Sequence, residues 1–444
     1  MDRYLNVKKQ DKEIYQKIIA EKNRQEEGLE LIPSENIVSQ AVLEAMGSIL
    51  TNKYSEGYPH ARYYGGNEVI DEIEDMVRER AKKLFKVPFV NVQPYSGSPA
   101  NLAVYLATCN PGDTVMGLLL TDGGHLTHGW KASATSMFYK SVQYGLKPDG
   151  YMDLKEIARL AREHKPKLIW VGATAYVREF PFKELGAIAD EVGAYLAADI
   201  AHIAGLVVAG AHVSPVPYVH VVTTTTHKTL RGPRGGMIMV TTKGLAKDAE
   251  LGAKVDRAIF PNLQGGPHDH TTAAIGVALK EAATPAFRTY GKQIVKNAKA
   301  LAKALMDRSV NLVTNGTDNH MMLMKCGTGR GAIVEIALDA IGLTTNKNTI
   351  PNEPSSPFYP SGIRLGTPSI TTRRMKEKEM KLIGNYIADA MEMVKDVDLP
   401  AEKGVRKAFL AECRKDFAKN KELAKIRKEV MALCKKFPIP TVFK

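Results

Sequence analysis

The sequence predicts an α/β protein: a large domain built on a mostly parallel sheet, followed by a smaller C-terminal α+β domain. Three observations predict it. Apolar strand-like runs alternate with helical patterns from about Glu68 to residue 275, a long tract of helix formers covers Thr271 to Met306, and short strand-like runs resume beyond it. Strands buried on both faces read as near-continuous apolar runs, the pattern of a parallel sheet covered by helices on each side.

Taken in order, the opening segment places Ile14, Ile18 and Ile19 on one helical face and ends its LELIP stretch at Pro33, so residues 1–45 read as an N-terminal arm. Within residues 46–275, the large domain, the strands are FVNVQP, TVMGLLL, PKLIWVGA, AYLAAD, VHVVTTTT and GGMIMVT; one helix opens at Ser98 and another covers Phe182 to Val192. Residues 276–444 form the small domain, with NLVTNG, HMMLMKC and GIRLGT as strands and a Pro-rich connection from Pro351 to Pro360. At its end Leu410, Cys413, Phe417, Leu423, Ile426, Val430 and Leu433 recur mostly at three- or four-residue steps, which predicts an amphipathic helical tail.

Composition excludes several classes. The 444 residues carry 61 Lys and Arg against 48 Asp and Glu, with 44% hydrophobic content, so disorder and fibrous repeats are ruled out. Residues 401–444 hold thirteen of the basic and only five of the acidic residues, which concentrates the excess charge in the tail. That tail has no recognition motif and no aromatic interleaving. It reads as a solvated helix face, and nucleic-acid binding is not expected; a rival reading, a binding protein that uses this helix, has charge alone to support it. The four cysteines form no CxxC pair, and the N-terminus shows no apolar signal segment, so a cytoplasmic protein is expected. The most apolar stretch, Ala194 to Val213, contains Asp199, His202, Gly205 and Gly210 and is a poor membrane span.

The chemistry concentrates at strand ends. In VVTTTTHKTLRGPRGG a β-branched run stops at His227-Lys228, which puts Lys228 at the carboxyl end of a strand, where open α/β sheets bind ligands and a lysine can act as an amine nucleophile toward an aldehyde cofactor. Asp199 closes the apolar strand AYLAAD. A carboxylate there needs a cationic or hydrogen-bonding partner, such as a protonated pyridine nitrogen or the backbone of the following turn, where it would cap a helix. Ser96-Gly97-Ser98 follows a strand and opens a helix, the geometry of a phosphate cradle, although serine and glycine also serve as ordinary caps. His125 in GGHLTHGW is placed to stack on a flat ring; with His128 it forms one HxxH pair, too little for a metal site, and no metal is expected. Arg364 in SGIRLGTP suits a carboxylate clamp or a surface ion pair. Tyr54, Glu56, Tyr58, Tyr63 and Tyr64 suit an interface as well as a pocket.

In order along the chain, LIPSEN, LTNKYSEGYPHARYYGG, NVQPYSGSPAN, GGHLTHG, AYLAADIAHIAGLV, VVTTTTHKTLRGPRGG, NLQGGP, NKNTIP and SGIRLGTP resemble the signature stretches of the serine hydroxymethyltransferase family over roughly residues 20 to 395. The resemblance implies a fold-type I pyridoxal-phosphate-dependent transferase, a homodimer or dimer of dimers with shared active sites. It implies reversible transfer of the hydroxymethyl group of L-serine to tetrahydrofolate, giving glycine and 5,10-methylenetetrahydrofolate through a Lys-bound aldimine and a quinonoid.

Residue by residue, the resemblance implies that Lys228 holds the cofactor, Asp199 its ring nitrogen, and that His125 stacks on the ring. Thr174 and His202 address the phenolic oxygen, with Arg234 in support. Ser96, Gly97, Ser98 and His227 bind the phosphate, with Tyr54 and Gly266 from the other subunit. Arg364 and Ser34 take the serine carboxylate, with His202 also on the substrate side and Tyr64 of the other subunit nearby, and Glu56 of that subunit faces the hydroxymethyl group. Glu56, Tyr63, Leu120, Gly124, Leu126 and Asn346 line the folate site. Four positions depart from the family pattern: Tyr95 stands for histidine, Thr174 for serine, Pro33 for a small residue, and TDGG for SHGG or AHGG before His125. A threonine-type aldolase, an α-methylserine transferase and an aminotransferase are rival activities on the same fold.

Overall fold

The computed structural model describes residues 4–440; residues 1–3 and 441–444, the outer ends of the expected arm and tail, lie outside the described residues. The chain divides into one unit of Val38–Lys292 and a second that joins Met1–Ile37 to Gln293–Lys444.

The first unit is built on a seven-stranded sheet: β1 (Phe89–Asn91), β2 (Thr114–Leu118), β3 (Lys140–Tyr144), β4 (Leu168–Val171), β5 (Tyr195–Asp199), β6 (Val221–Thr225) and β7 (Gly236–Val240). Its spatial order is β1-β7-β6-β5-β4-β2-β3, and β7 alone runs antiparallel to its neighbours. Strands β4, β6 and β7 are buried along their whole length, which explains their unbroken apolar or β-branched runs. The sequence reading has no counterpart for β3. Its KSVQY is an edge strand in which polar side chains remain partly exposed, so it carries no continuous apolar run.

The helical tract expected over Thr271 to Met306 is two helices, Asp269–Ala282 and Pro285–Asp307. Pro285 has no N–H to give to the preceding turn, and Thr284 Oγ1 instead accepts from Phe287 N at 3.2 Å, starting a new helix. The reading of NLVTNG as a strand is corrected likewise. Only Leu312 bridges to Met324, because Thr314 and Asn315 adopt φ of 60° and 53°, a left-handed turn that ends any extended run.

The second unit holds an antiparallel sheet of β8 (Met321–Lys325), β9 (Asn346–Asn348) and β10 (Gly362–Gly366), with β10 central. Its core gathers Leu29 and Leu31 from the N-terminal segment, Met322 and Met324 of β8, Ile363 and Leu365 of β10, and Leu423, Ile426, Val430 and Leu433 of the tail. The tail is two helices, Arg406–Lys419 and Lys421–Lys436, parted at Asn420, whose side chain caps the second by accepting from Glu422 N and Leu423 N. Burial of the stripe, with the lysines left outside, accounts for the amphipathic pattern. Arg373 fastens both chain ends: its buried guanidinium donates to the carbonyls of Gly28, Cys434 and Phe437 at 2.7, 3.0 and 2.7 Å. The Lys12–Glu27 helix, by contrast, buries none of its side chains, and Ile14 is 53% exposed.

His220, just before β6, is buried, and its Nδ1 accepts from Leu196 N at 2.9 Å. Burial, reinforced by Lys243 and Lys247, lowers its pKa to about 4. The unfolded chain therefore takes up a proton near pH 6.5 that the folded chain refuses. The stability this gives is present above that value and is lost as pH falls toward about 4. On acidification from about pH 7 to about pH 5, the native protein should lose on the order of 1 kcal/mol relative to His220→Asn, whose Oδ1 keeps an acceptor for Leu196 N at the Nδ1 position. Denaturant titrations of both proteins at the two pH values check this; parallel losses would contradict it.

Candidate functional site

Asp199 ends β5 with its carboxylate almost fully hydrogen-bonded. Oδ2 accepts from Asn101 Nδ2 at 2.8 Å and faces His128 Nε2 at 3.2 Å, and Oδ1 accepts from Ala201 N at 3.0 Å. The last bond fixes a turn and not a helix cap, since the next helix begins at Ala204. Burial alone would raise the pKa of this group. The bond and charge of His128, with help from His125 and Lys228, outweigh it and hold the carboxylate well below its usual range. The His128 ring is itself fixed by stacking on Trp170, 5.0 Å between centroids and 8° apart in plane.

Lys228 lies three residues past β6, and its charge is felt by Asp199, His125 and His227 alike, so the lysine and the carboxylate belong to one site. Burial lowers His125 to about 4, with His128 and Lys228 adding to the effect, so its imidazole is neutral at ordinary pH. His227 is lowered to about 3, by burial first and then by Lys228 and Arg234. Arg234 Nη1 lies 3.4 Å from His227 Nε2. An arginine can only donate, so Nε2 accepts and the ring proton sits on Nδ1, a buried atom with no hydrogen-bond partner.

Beside it the Gly97–Thr108 helix opens with its first backbone N–H groups uncapped by the Ser96 side chain. A Cβ at Gly97 would come within 2.8 Å of Thr225 Cγ2, so only glycine fits there, and the Thr225 hydroxyl is another buried polar atom without a partner. A helix N-terminus, an orphan imidazole N–H, an orphan hydroxyl and a nearby guanidinium are together the kind of donor set that an anion requires.

Thr174 hydrogen-bonds through Oγ1 to the carbonyls of Gly123 and Gly124 at 3.1 and 3.2 Å, which ties the β4 loop to the segment bearing His125. Gly124 has its own structural reason: a Cβ there would collide with the Leu118 carbonyl. Leu120 is half-buried and Leu126 is 51% exposed on the same segment. His202 is buried, and its carbonyl accepts from Thr229 Oγ1 at 2.8 Å, in the turn that carries Lys228.

A second group sits on an exposed face of the same unit. Tyr54, Tyr63 and Tyr64 are 55%, 75% and 48% exposed. Tyr54 packs edge-on against Tyr64 and donates to Glu56 Oε1 at 3.3 Å, and its ring lies against Gly266. Two buried ion pairs and a buried hydrogen bond brace this surface: Arg62 bonds Asp71 and Glu74 at 2.8 Å each, and Ser55 Oγ donates to Asp269 at 2.7 Å. Tyr95, the departure beside the cradle, donates to the Gly266 carbonyl at 2.6 Å and stacks on His268 at 4.1 Å. The hydroxyl and ring at this position thus pin the Gly-Gly loop.

In the second unit, Arg364 of β10 is buried and donates through Nε to Asn346 Oδ1 at 3.0 Å; burial lowers its guanidinium to about 10. Such a group binds a carboxylate strongly when one arrives. Ser34 follows Pro33, which packs against Gly366 at the end of the same strand, and Gly366 N donates to Leu31 O at 2.7 Å. Pro33 therefore fills a packing position next to the arginine strand.

His125, His128 and Asp199 bring ligand atoms within 4.8 Å of one another. Both Asp199 oxygens are already engaged, and Thr127 occupies His125 Nδ1 at 2.7 Å, so the trio forms a hydrogen-bonded network. Asn101, Thr127 and Thr223 in that network were not singled out by the sequence reading. Nothing local distinguishes an asparagine in a helix or a threonine in a strand until the fold brings them to Asp199.

The family model described as serine hydroxymethyltransferase matches residues 7–387. The chain is 52% identical over 436 residues to a protein of Sorangium cellulosum named serine hydroxymethyltransferase, covering 97% of this chain and 96% of that one. It is 53% identical over 391 residues to a protein of the same name from Campylobacter jejuni, covering 88% of this chain and 93% of that one.

Proposed function

The chain belongs to the serine hydroxymethyltransferase family, and from that premise we propose which residues carry its reaction. The enzyme transfers the hydroxymethyl group of L-serine reversibly to tetrahydrofolate, giving glycine and 5,10-methylenetetrahydrofolate, and it depends on pyridoxal phosphate. That cofactor supplies, when bound, a cationic ring that accepts electrons as a bond to the amino-acid α-carbon breaks.

The site fits the group. One observation carries the assignment: a buried carboxylate held ionised, Asp199, is electrostatically coupled to the strand-end amine of Lys228 beside an anion cradle with two orphaned polar atoms. Lys228 would hold the cofactor's aldehyde carbon, and Asp199 would keep a proton on the ring nitrogen. Neutral His125 offers the ring its flat face without adding a second cation. Ser96, Gly97, Ser98 and His227 would receive the phosphate, with Thr225 added by the orphan hydroxyl and Arg234 in support. Thr174 and His202 would address the phenolic oxygen. Arg364, oriented by Asn346, would clamp the substrate carboxylate, with Ser34 nearby. Leu120, Gly124 and Leu126 are assigned to the folate side.

Tyr54, Tyr63 and Tyr64 are exposed beside the half-buried Glu56 and Gly266 on one chain, which supports a homodimer in which these residues complete the site of a second copy. Glu56 would move a proton at the hydroxymethyl oxygen, with Tyr64 beside it. We further propose a cytoplasmic enzyme of two domains, the larger holding the cofactor; the four free cysteines support that location, and no helix among the described residues is long and apolar enough to cross a membrane.

Subunit mixing tests the shared site. Lys228→Gln and Glu56→Ala chains should each be inactive alone. A mixture allowed to exchange subunits should recover about a quarter of native activity, because each hybrid dimer keeps one intact site. A mixture that exchanges and stays inactive would show that the site lies within one chain.

A further inference from the structure

Asn101 has no part in the roles above, yet it is fully buried at the centre of the site. Its Nδ2 donates to Asp199 Oδ2 and to Thr127 Oγ1, both at 2.8 Å, while its Oδ1 accepts from Thr223 Oγ1 at 2.7 Å. These three bonds admit one orientation of the amide. Flipped, it would present a carbonyl oxygen to the Asp199 carboxylate and an NH2 group to the hydroxyl that now donates to it.

The consequence runs one bond further. Thr127 N donates to His125 Nδ1 at 3.3 Å, which makes that nitrogen an acceptor, and Thr127 Oγ1, 2.7 Å from it and already accepting from Asn101, then has its own proton to give there. Thr127 is held in place by Tyr105, whose hydroxyl donates to the Thr127 carbonyl at 2.7 Å. With Nδ1 an acceptor twice over, the proton of a neutral His125 belongs on Nε2.

We propose that Asn101 is a positioning residue, oriented by Thr223, that fixes the Asp199 carboxylate and, through Thr127, sets His125 in its Nε2–H tautomer. One residue thereby prepares both the negative charge and the aromatic face of the cofactor site. The chain of bonds Thr223 to Asn101 to Thr127 to His125 stands on geometry alone, and only its consequence for the cofactor rests on the roles proposed above for Asp199 and His125.

The test uses Asn101→Asp, whose carboxyl shares at most one proton with the adjacent Asp199 and so cannot donate to both Asp199 and Thr127, and Thr223→Val and Thr223→Ser, which remove and keep the orienting hydroxyl without touching Asn101. Ring-nitrogen NMR of His125 in the ¹⁵N-histidine-labelled, cofactor-free protein reads the tautomer, with the signal assigned by loss in His125→Gln. The native protein should show a protonated Nε2. Asn101→Asp and Thr223→Val should shift toward a tautomer mixture, and Thr223→Ser should match the native spectrum. Pyridoxal phosphate affinity, read by protein fluorescence, should weaken about tenfold or more in Asn101→Asp, because Asp199 then shares its charge with a second carboxyl and no longer has a neutral amide donor. Unchanged His125 signals in Thr223→Val and in folded Asn101→Asp overturn the proposal whatever the affinity. Shifted signals with native affinity support the hydrogen-bond chain and instead overturn the assignment of Asp199 to the ring nitrogen.

Discussion

Lys228→Gln is expected to abolish the covalent capture of pyridoxal phosphate and to lower kcat for serine cleavage by at least about a hundredfold, the lower part of the range for a lost proton-transferring group. The amine is the strand-end cation of a site whose negative partner, Asp199, is buried and held ionised, and whose imidazoles at 125 and 227 are driven neutral. It is therefore the group there able to add to an aldehyde and afterwards take or return a proton. Glutamine keeps length and polarity at this half-buried position, so the fold should survive. Borohydride reduction followed by mass analysis of the peptide containing residue 228 reads the covalent link, and steady-state turnover reads the rate. Lys243→Gln, which removes the pair with Asp190 and the bond to the Tyr218 carbonyl, serves as the control and should leave both unchanged. A Lys228→Gln enzyme that turns over serine normally would remove the lysine from the mechanism.

What was legible in the sequence follows a physical division. Buried central strands announce themselves, because full burial demands unbroken apolar or β-branched runs; hence β4, β5, β6 and β7 were readable while the edge strand β3 was not. Strand-end residues with unusual chemistry were readable for the same reason, since Asp199 and Lys228 interrupt such runs. The tail's stripe was readable as amphipathic, although its division at Asn420 depends on a single capping side chain. The partners that prepare the site were not readable. Asn101 and Thr223 are 122 positions apart and meet only when the Gly97–Thr108 helix lies across β6. Nor could the sequence say what Tyr95 does in place of histidine, because its partner, the Gly266 carbonyl, is 171 residues away.

Asp199→Asn is expected to cost about a thousandfold in turnover even with the cofactor saturating. Two opposite charges about 4 Å apart at an effective dielectric near 20 attract by about 4 kcal/mol, and that is the interaction that would be lost on exchange to the amide if, as proposed, the carboxylate holds a protonated ring nitrogen. The fold should tolerate the exchange better than the chemistry does. An asparagine Oδ1 can still accept from Ala201 N, and although its NH2 would confront the donors of Asn101 and His128, the second conflict has a remedy. Without the Asp199 charge to favour a second ring proton, His128 can keep its one proton on the unpartnered Nδ1 and turn Nε2 into an acceptor for the new amide. The conflict with Asn101 remains, and one unsatisfied buried group costs roughly 1–3 kcal/mol of stability. Denaturant titration should find that modest loss, while kcat at saturating pyridoxal phosphate falls far more steeply. Asp199→Glu restores the charge at the expense of one methylene in a packed site and should recover part of the rate. An asparagine variant within a few-fold of native turnover would mean that the carboxylate serves only its hydrogen-bond network, and that the ring nitrogen is protonated from elsewhere or not at all.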